Sequence, residues 1–171
     1  EFSFVQFSSA FIILFAIIDI TGSIPIILSL KSKGIDINPV KTSSVALGIM
    51  ILFLFLGERI MSLFHVDIES FAVAGAFVLF IMALEMILNV EIFRNNTLKN
   101  IGAIVPIAFP LVAGPGSFTA MISLRAEFDT INILLALIAN LLFVLVVLKA
   151  TGRIEKLLGK GGIYILRKFF G

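Results

Sequence analysis

Residues Ser8 to Leu30 read SSAFIILFAIIDITGSIPIILSL, an apolar run long enough to cross about 30 Å of hydrocarbon, which takes roughly 20 helical residues. A single carboxylate, Asp19, stands near its middle, followed by Thr21, Gly22, Ser23 and Pro25. In lipid a segment must satisfy its own backbone N–H and C=O groups, so a continuous apolar run reads as helix. Gly22 lowers helix propensity, and Pro25 lacks a donor and restricts Ile24. The run therefore predicts a membrane helix that breaks near its midpoint.

Outward from this stretch, four further apolar segments are long enough to span: Val40–Phe64, Ile68–Asn89, Ile101–Leu124 and Ile131–Thr151. Hydrophobic residues make up 60% of the 171 and charged residues 14%, with a mean hydropathy of +1.16. A soluble domain runs at about 45–50% apolar and about 25% charged, and a chain this short has too large a surface-to-volume ratio to hide the excess. Lipid is the expected solvent. The apolar runs are continuous, whereas a transmembrane barrel needs alternating strands of about 10 residues. The expectation is an all-α, polytopic membrane protein forming one domain over residues 1–171, with no separate soluble module.

Lys31, Lys33, Lys41, Arg94, Lys99, Lys149, Arg153, Lys156, Lys160, Arg167 and Lys168 follow the odd segments, and only Arg59 and Arg125 follow the even ones. Cytoplasmic loops carry the excess of Lys and Arg, so the odd segments are expected to run inward and the N-terminus to be extracytoplasmic. With basic residues confined to loops, the formal charge of +2 is no nucleic-acid signal. The stretch Lys149–Lys168 suits anionic lipid headgroups. No cysteine is present, which excludes disulfides and cysteine metal sites. Glu1-Phe2-Ser3 has no basic n-region, so no cleavable signal peptide is expected, and the absent Met points to residues upstream.

The chain also resembles itself. Gly22-Ser23 and Ser29-Leu30 recur as Gly116-Ser117 and Ser123-Leu124, an offset of 94 that also carries Arg59-Ile60 onto Arg153-Ile154 and Leu63 onto Leu157. Three segments separate the copies, so the first and fourth helices must cross in opposite directions, as in the inverted-topology repeats of secondary transporters. Repeat one is expected over about 4–89 and repeat two over about 98–171. The second is expected to be incomplete, because the sixth helix should begin near Arg167–Gly171, where the sequence stops.

In the fourth segment Pro106, Pro110, Gly114, Pro115 and Gly116 predict a break like the one after Asp19. A broken helix leaves bare N–H groups and the positive end of a dipole at the start of its second half. Those starts are expected near Thr21–Ser23 and Pro115–Ser117, with hydroxyls from Ser23, Ser117 and Thr119. Inverted copies let the two starts approach at the midplane and hold an anionic or zwitterionic group. A mid-membrane carboxylate costs at least about 2.5–3.5 kcal/mol, so Asp19 should face protein or water. It either caps its own helix or meets a cationic group or coupling proton.

Asn140 near the centre of the fifth segment is a candidate solute contact, although a buried Asn in a membrane more often bonds a neighbouring helix. Glu85 is a candidate proton relay with Asp19, or a side chain reaching for the interface. His65, Asp67 and Glu69, with Glu58 nearby, lack metal-ligand spacing and read as a solvated loop. No metal or cofactor is expected.

Three motifs resemble the MarC family of bacterial and archaeal inner-membrane proteins. They are Asp-x-x-Gly-x-x-Pro (Asp19, Gly22, Pro25), Ala-Gly-x-x-x-Leu-Phe (Ala74, Gly75, Leu79, Phe80) and Pro-x-x-x-Pro-Leu-x-Ala-Gly-Pro-Gly (Pro106 to Gly116). The resemblance covers essentially the whole chain in order. It implies six transmembrane helices and distant kinship with LysE-type exporters. This sequence departs from the family pattern at Ile20, where Pro is usual, and at Ser23, where Asn is usual.

The functional expectation is an inner-membrane transporter or exporter of a small polar, anionic or zwitterionic solute, working by alternating access around the two breaks. Membrane lipids are the other expected partner, and a homo-oligomer is compatible with the sequence. The alternative is a non-transporting assembly or regulatory subunit. An enzyme is not expected: serine hydrolysis needs a base beside the serine, and the single histidine, His65, lies at a membrane boundary.

Overall fold

A computed structural model of the chain describes residues 1–88, 90, 104 and 106–170, and all its regular elements there are helical. Helix α1 spans Phe4–Ile18, α2 Ile24–Ser32, α3 Pro39–Leu63 and α4 Ile68–Leu88. The short α5, Ile107–Val112, is wound as a π-helix, and α6 (Pro115–Glu127) and α7 (Thr130–Phe170) complete the order. The fourth segment's approach, 91–103 and 105, lies outside the described residues, as do Arg94 and Lys99 and the opening of the expected second repeat.

Local chemistry sets the helix starts. Ser3 accepts from the Gln6 amide at the head of α1, and Asn38 accepts from the Lys41 amide at the head of α3, ahead of Pro39 in the first turn. Short polar side chains satisfy the orphan donors of a first turn, and proline is tolerated there because its N–H would be unpaired anyway.

The core gathers Leu14 and Ile18 of α1, Ile27 of α2, Met50 and Leu54 of α3, Phe118 and Met121 of α6, and Ile133, Leu137 and Leu148 of α7. The outer surface is just as apolar, with Ile12, Phe55, Phe77, Leu142 and Val146 exposed. A chain apolar on both its inner and outer faces is suited to a bilayer and to no aqueous surroundings. By length and composition, residues Pro39–Leu63 and Thr130–Ile165 are helical stretches able to cross a membrane.

Polar contacts fix which ends lie together. The Ser3 amide donates to Asn132 Oδ1 at 3.0 Å, and Asn132 Nδ2 donates to Gln6 Oε1 at 2.7 Å. At the other end Lys31 pairs with Glu155 at 3.8 Å. The path from α1 through α2 therefore runs parallel to α7. The expected end of the fifth segment at Thr151 marks the end of hydrophobicity, not of helix. Thr151 turns its hydroxyl onto the Leu148 carbonyl, and α7 continues to Gly159, whose φ of 59° and ψ of −177° kink it.

Candidate functional site

The first break is built by one side chain folding back on its own turn. Asp19 ends α1 in the left-handed region, φ 39° and ψ 52°, with its amide still bonded to the Phe15 carbonyl. Its Oδ1 accepts from the Gly22 amide at 3.1 Å and from the Thr21 hydroxyl at 3.2 Å. Its carbonyl accepts from both the amide and the hydroxyl of Ser23. This is a turn closed by an aspartate side chain and not an N-cap: the N-cap of α2 is Ser23, whose side chain makes no capping bond. A Cβ on Gly22 would stand 2.3 Å from Asp19 Oδ2, so any side chain here would displace the Asp19 carboxylate from this turn. Pro25 then enters the first turn of α2.

The second break follows α5, in which Phe109 is extended and the Phe109–Pro110 peptide is cis. Gly114 leads into α6 in a β conformation, and a Cβ there would lie 1.9 Å from the Pro110 carbonyl oxygen. Pro115 has no N–H, and among the described residues the amides of Gly116 and Ser117 make no hydrogen bond. The two breaks thus differ: a carboxylate closes the turn ahead of α2, and α6 begins with bare donors.

The hydroxyls expected at the site donate to backbone oxygens. Ser117 Oγ donates to the Val112 carbonyl at 2.6 Å and Thr119 Oγ1 to the Pro115 carbonyl at 2.8 Å, satisfying acceptors around the break and leaving oxygen lone pairs. Asn140 bonds the Phe11 carbonyl at 3.2 Å and the Ala136 carbonyl at 2.9 Å, which ties α7 to α1. Ser23 and Ser117 are buried, and Asp19, Thr21 and Gly116 are exposed. Glu85 belongs to α4, and its side chain lies outside the described residues.

The breaks come together through Gly116, whose α-carbon faces Ile17: a Cβ there would meet Ile17 Cγ2 at 3.4 Å. The sequence reading singled out neither Ile17 nor a site role for Gly75. A Cβ on Gly75 would strike the Pro115 ring at 2.4 Å, so α4 packs directly on the start of α6. The Ala74-Gly75 pair of the third-segment motif was the available signal. Fully buried Asn132 was also missed, because an Asn at the head of an apolar run looks like a cap until its partners on α1 are known.

Residues 4–171 match the family described as MarC family integral membrane protein. A membrane protein of Buchnera aphidicola from Schizaphis graminum is 30% identical, over 95% of this chain and 87% of its own. One from Methanocaldococcus jannaschii is 30% identical over 96% and 88%, and one from Archaeoglobus fulgidus 33% identical over 91% and 80%. All three are named UPF0056 membrane protein, a name that gives location and no activity. No solved structure matches the chain.

Proposed function

Because this chain belongs to the MarC family of integral membrane proteins, we propose that it is an inner-membrane transporter. It moves a small anionic or zwitterionic solute by alternating access around the two helix breaks. The observation that carries the reading is the juxtaposition of Gly116 at the head of α6 with Ile17, two residues before the break at Asp19. Open amides at α6 suit an anionic group, and the exposed carboxylate of Asp19 suits a cationic one or a proton.

The packing pattern supports an inverted repeat. Exchanging first with fourth and second with fifth segments turns α1 against α7 into α6 against α3, and both pairs pack closely. The same offset of 94 carries His65, at φ 52° after α3, onto Gly159, at φ 59° in α7. In this reading Lys160–Phe170 opens the sixth helix, and the N-terminus is extracytoplasmic.

Flux in liposomes tests the proposal. The purified protein is reconstituted with radiolabelled amino acids and small organic anions inside. Movement of one class, lost in Asp19→Asn, is expected. A tight vesicle that releases none of them leaves the non-transporting subunit as the better reading.

A further inference from the structure

The interhelix contacts sort into two groups. Asn132 with Ser3 and Gln6, Asn140 with Phe11, and Lys31 with Glu155 all join α1 and α2 to α7, and so does the ring contact of Phe15 with Phe143 at 5.2 Å. The other group joins α3, α4, α5 and α6. Phe53 stacks on Phe118 at 3.7 Å, Phe71 lies against Phe53, Phe109 and Phe118, and Arg125 donates to the Leu54 carbonyl at 2.8 Å. Among the described residues up to Leu158, no hydrogen bond, ion pair or ring contact passes from one group to the other. The groups still pack extensively, α1 on α6 and α3 on α7, through apolar side chains and the glycine contact of Gly116 with Ile17.

We infer that the molecule moves as two rigid bundles sliding on this apolar seam: α1, α2 and α7 up to Leu158, and α3–α4–α5–α6 together with the stretch of α7 beyond the Gly159 kink, whose Lys168 is bonded to the Ile87 carbonyl of α4. The inference rests on the alternating-access reading and adds its moving parts. Directional contacts hold one relative position, because a hydrogen bond weakens steeply with distance and angle. Apolar contacts tolerate displacement, and between lipid-solvated helices they carry little hydrophobic driving force. Small sliding of packed helices is a known route of domain movement. Both breaks lie where the bundles meet at Ile17 and Gly116, so a shift there alters access to them. Described chain passes between bundles at 33–38, where Gly34 has a φ of 80° with open space around it, at Phe128–Asp129 and at the Gly159 kink.

The cysteine-free sequence allows clean placement of spin labels at exposed apolar positions. Pairs Ile12→Cys with Val146→Cys and Leu52→Cys with Phe77→Cys each lie within one bundle, and Ile12→Cys with Phe77→Cys spans both. Pulsed electron–electron distances are measured on the full chain in liposomes. The within-bundle pairs are expected to give one narrow population and the spanning pair two. A single narrow distance for the spanning pair, or splitting of the within-bundle pairs as well, overturns the inference. These distances are read without any solute, so failure here is separable from failure of the flux assay.

Discussion

At the residue scale, Asp19 carries two roles that substitution separates. Asn closes such a turn through its side-chain oxygen as Asp does, so Asp19→Asn keeps the bonds to Gly22 and Thr21 while removing the charge. The expected outcome is an unchanged melting temperature in detergent with solute movement abolished. Asp19→Ala should also lose the turn's two side-chain hydrogen bonds, each worth about 0.5–1.5 kcal/mol, read as a lower melting temperature. Asp67 offers a pH test outside the membrane. The amide of Ser70, and then its hydroxyl, hold this carboxyl below its ordinary value, which caps the first turn of α4. A depressed pKa contributes stability above the unfolded value of about 3.9 and loses it as pH falls through the folded one. The protection factor of amides in the first turn of α4, exchange measured relative to the intrinsic rate at each pH, should therefore fall below pH 4, and Asp67→Asn should abolish that dependence.

At the element scale, the broken helices were legible because Gly and Pro act on the backbone directly, wherever tertiary contacts fall. Asp19, Gly22, Pro25, Gly114 and Pro115 marked both breaks to within a residue or two. The length of α7 was not legible: hydropathy reports solvent, and a charged stretch such as Arg153–Lys156 stays helical in water. Nor were the partners of Ser23, Ser117 and Thr119, since a hydroxyl reads the same whether it faces a solute or a backbone carbonyl. The glycines separate by what surrounds them. Gly159 has open space around it but a conformation essentially reserved for glycine, costing other residues about 1–3 kcal/mol. Gly159→Ala is expected to straighten α7 there, which raises helical content by circular dichroism and lengthens the distance from Lys168 to Ile87, now hydrogen-bonded at 2.5 Å. Gly114→Ala places a methyl against the Pro110 backbone oxygen, a neighbour that cannot rotate away. It should prevent the α5–α6 turn from forming, and a folded, monodisperse Gly114→Ala protein would count against the geometry of that break.

At the scale of the whole molecule, the parallel course of α1–α2 and α7 turns orientation into one binary question. Asn132 with Ser3 and Gln6 sets one shared end, and Lys31 with Glu155 sets the other, so both paths cross in the same direction. The second end is the basic one, with Lys31, Lys33, Lys149, Arg153 and Lys156 around it, and basic residues stay on the cytoplasmic side. The loop between α3 and α4 is then expected outside and the one between α2 and α3 inside. Single cysteines replacing exposed Glu69 and exposed Asp36 sample those loops in a chain with no cysteine of its own. An impermeant maleimide on intact cells should label Glu69→Cys and leave Asp36→Cys unmodified until the membrane is opened. The reverse pattern would invert the molecule and put the Lys-rich ends outside. Labelling of both from outside would mean that the helices do not cross as a single bundle, and the two breaks would lose the common depth that a shared solute site requires.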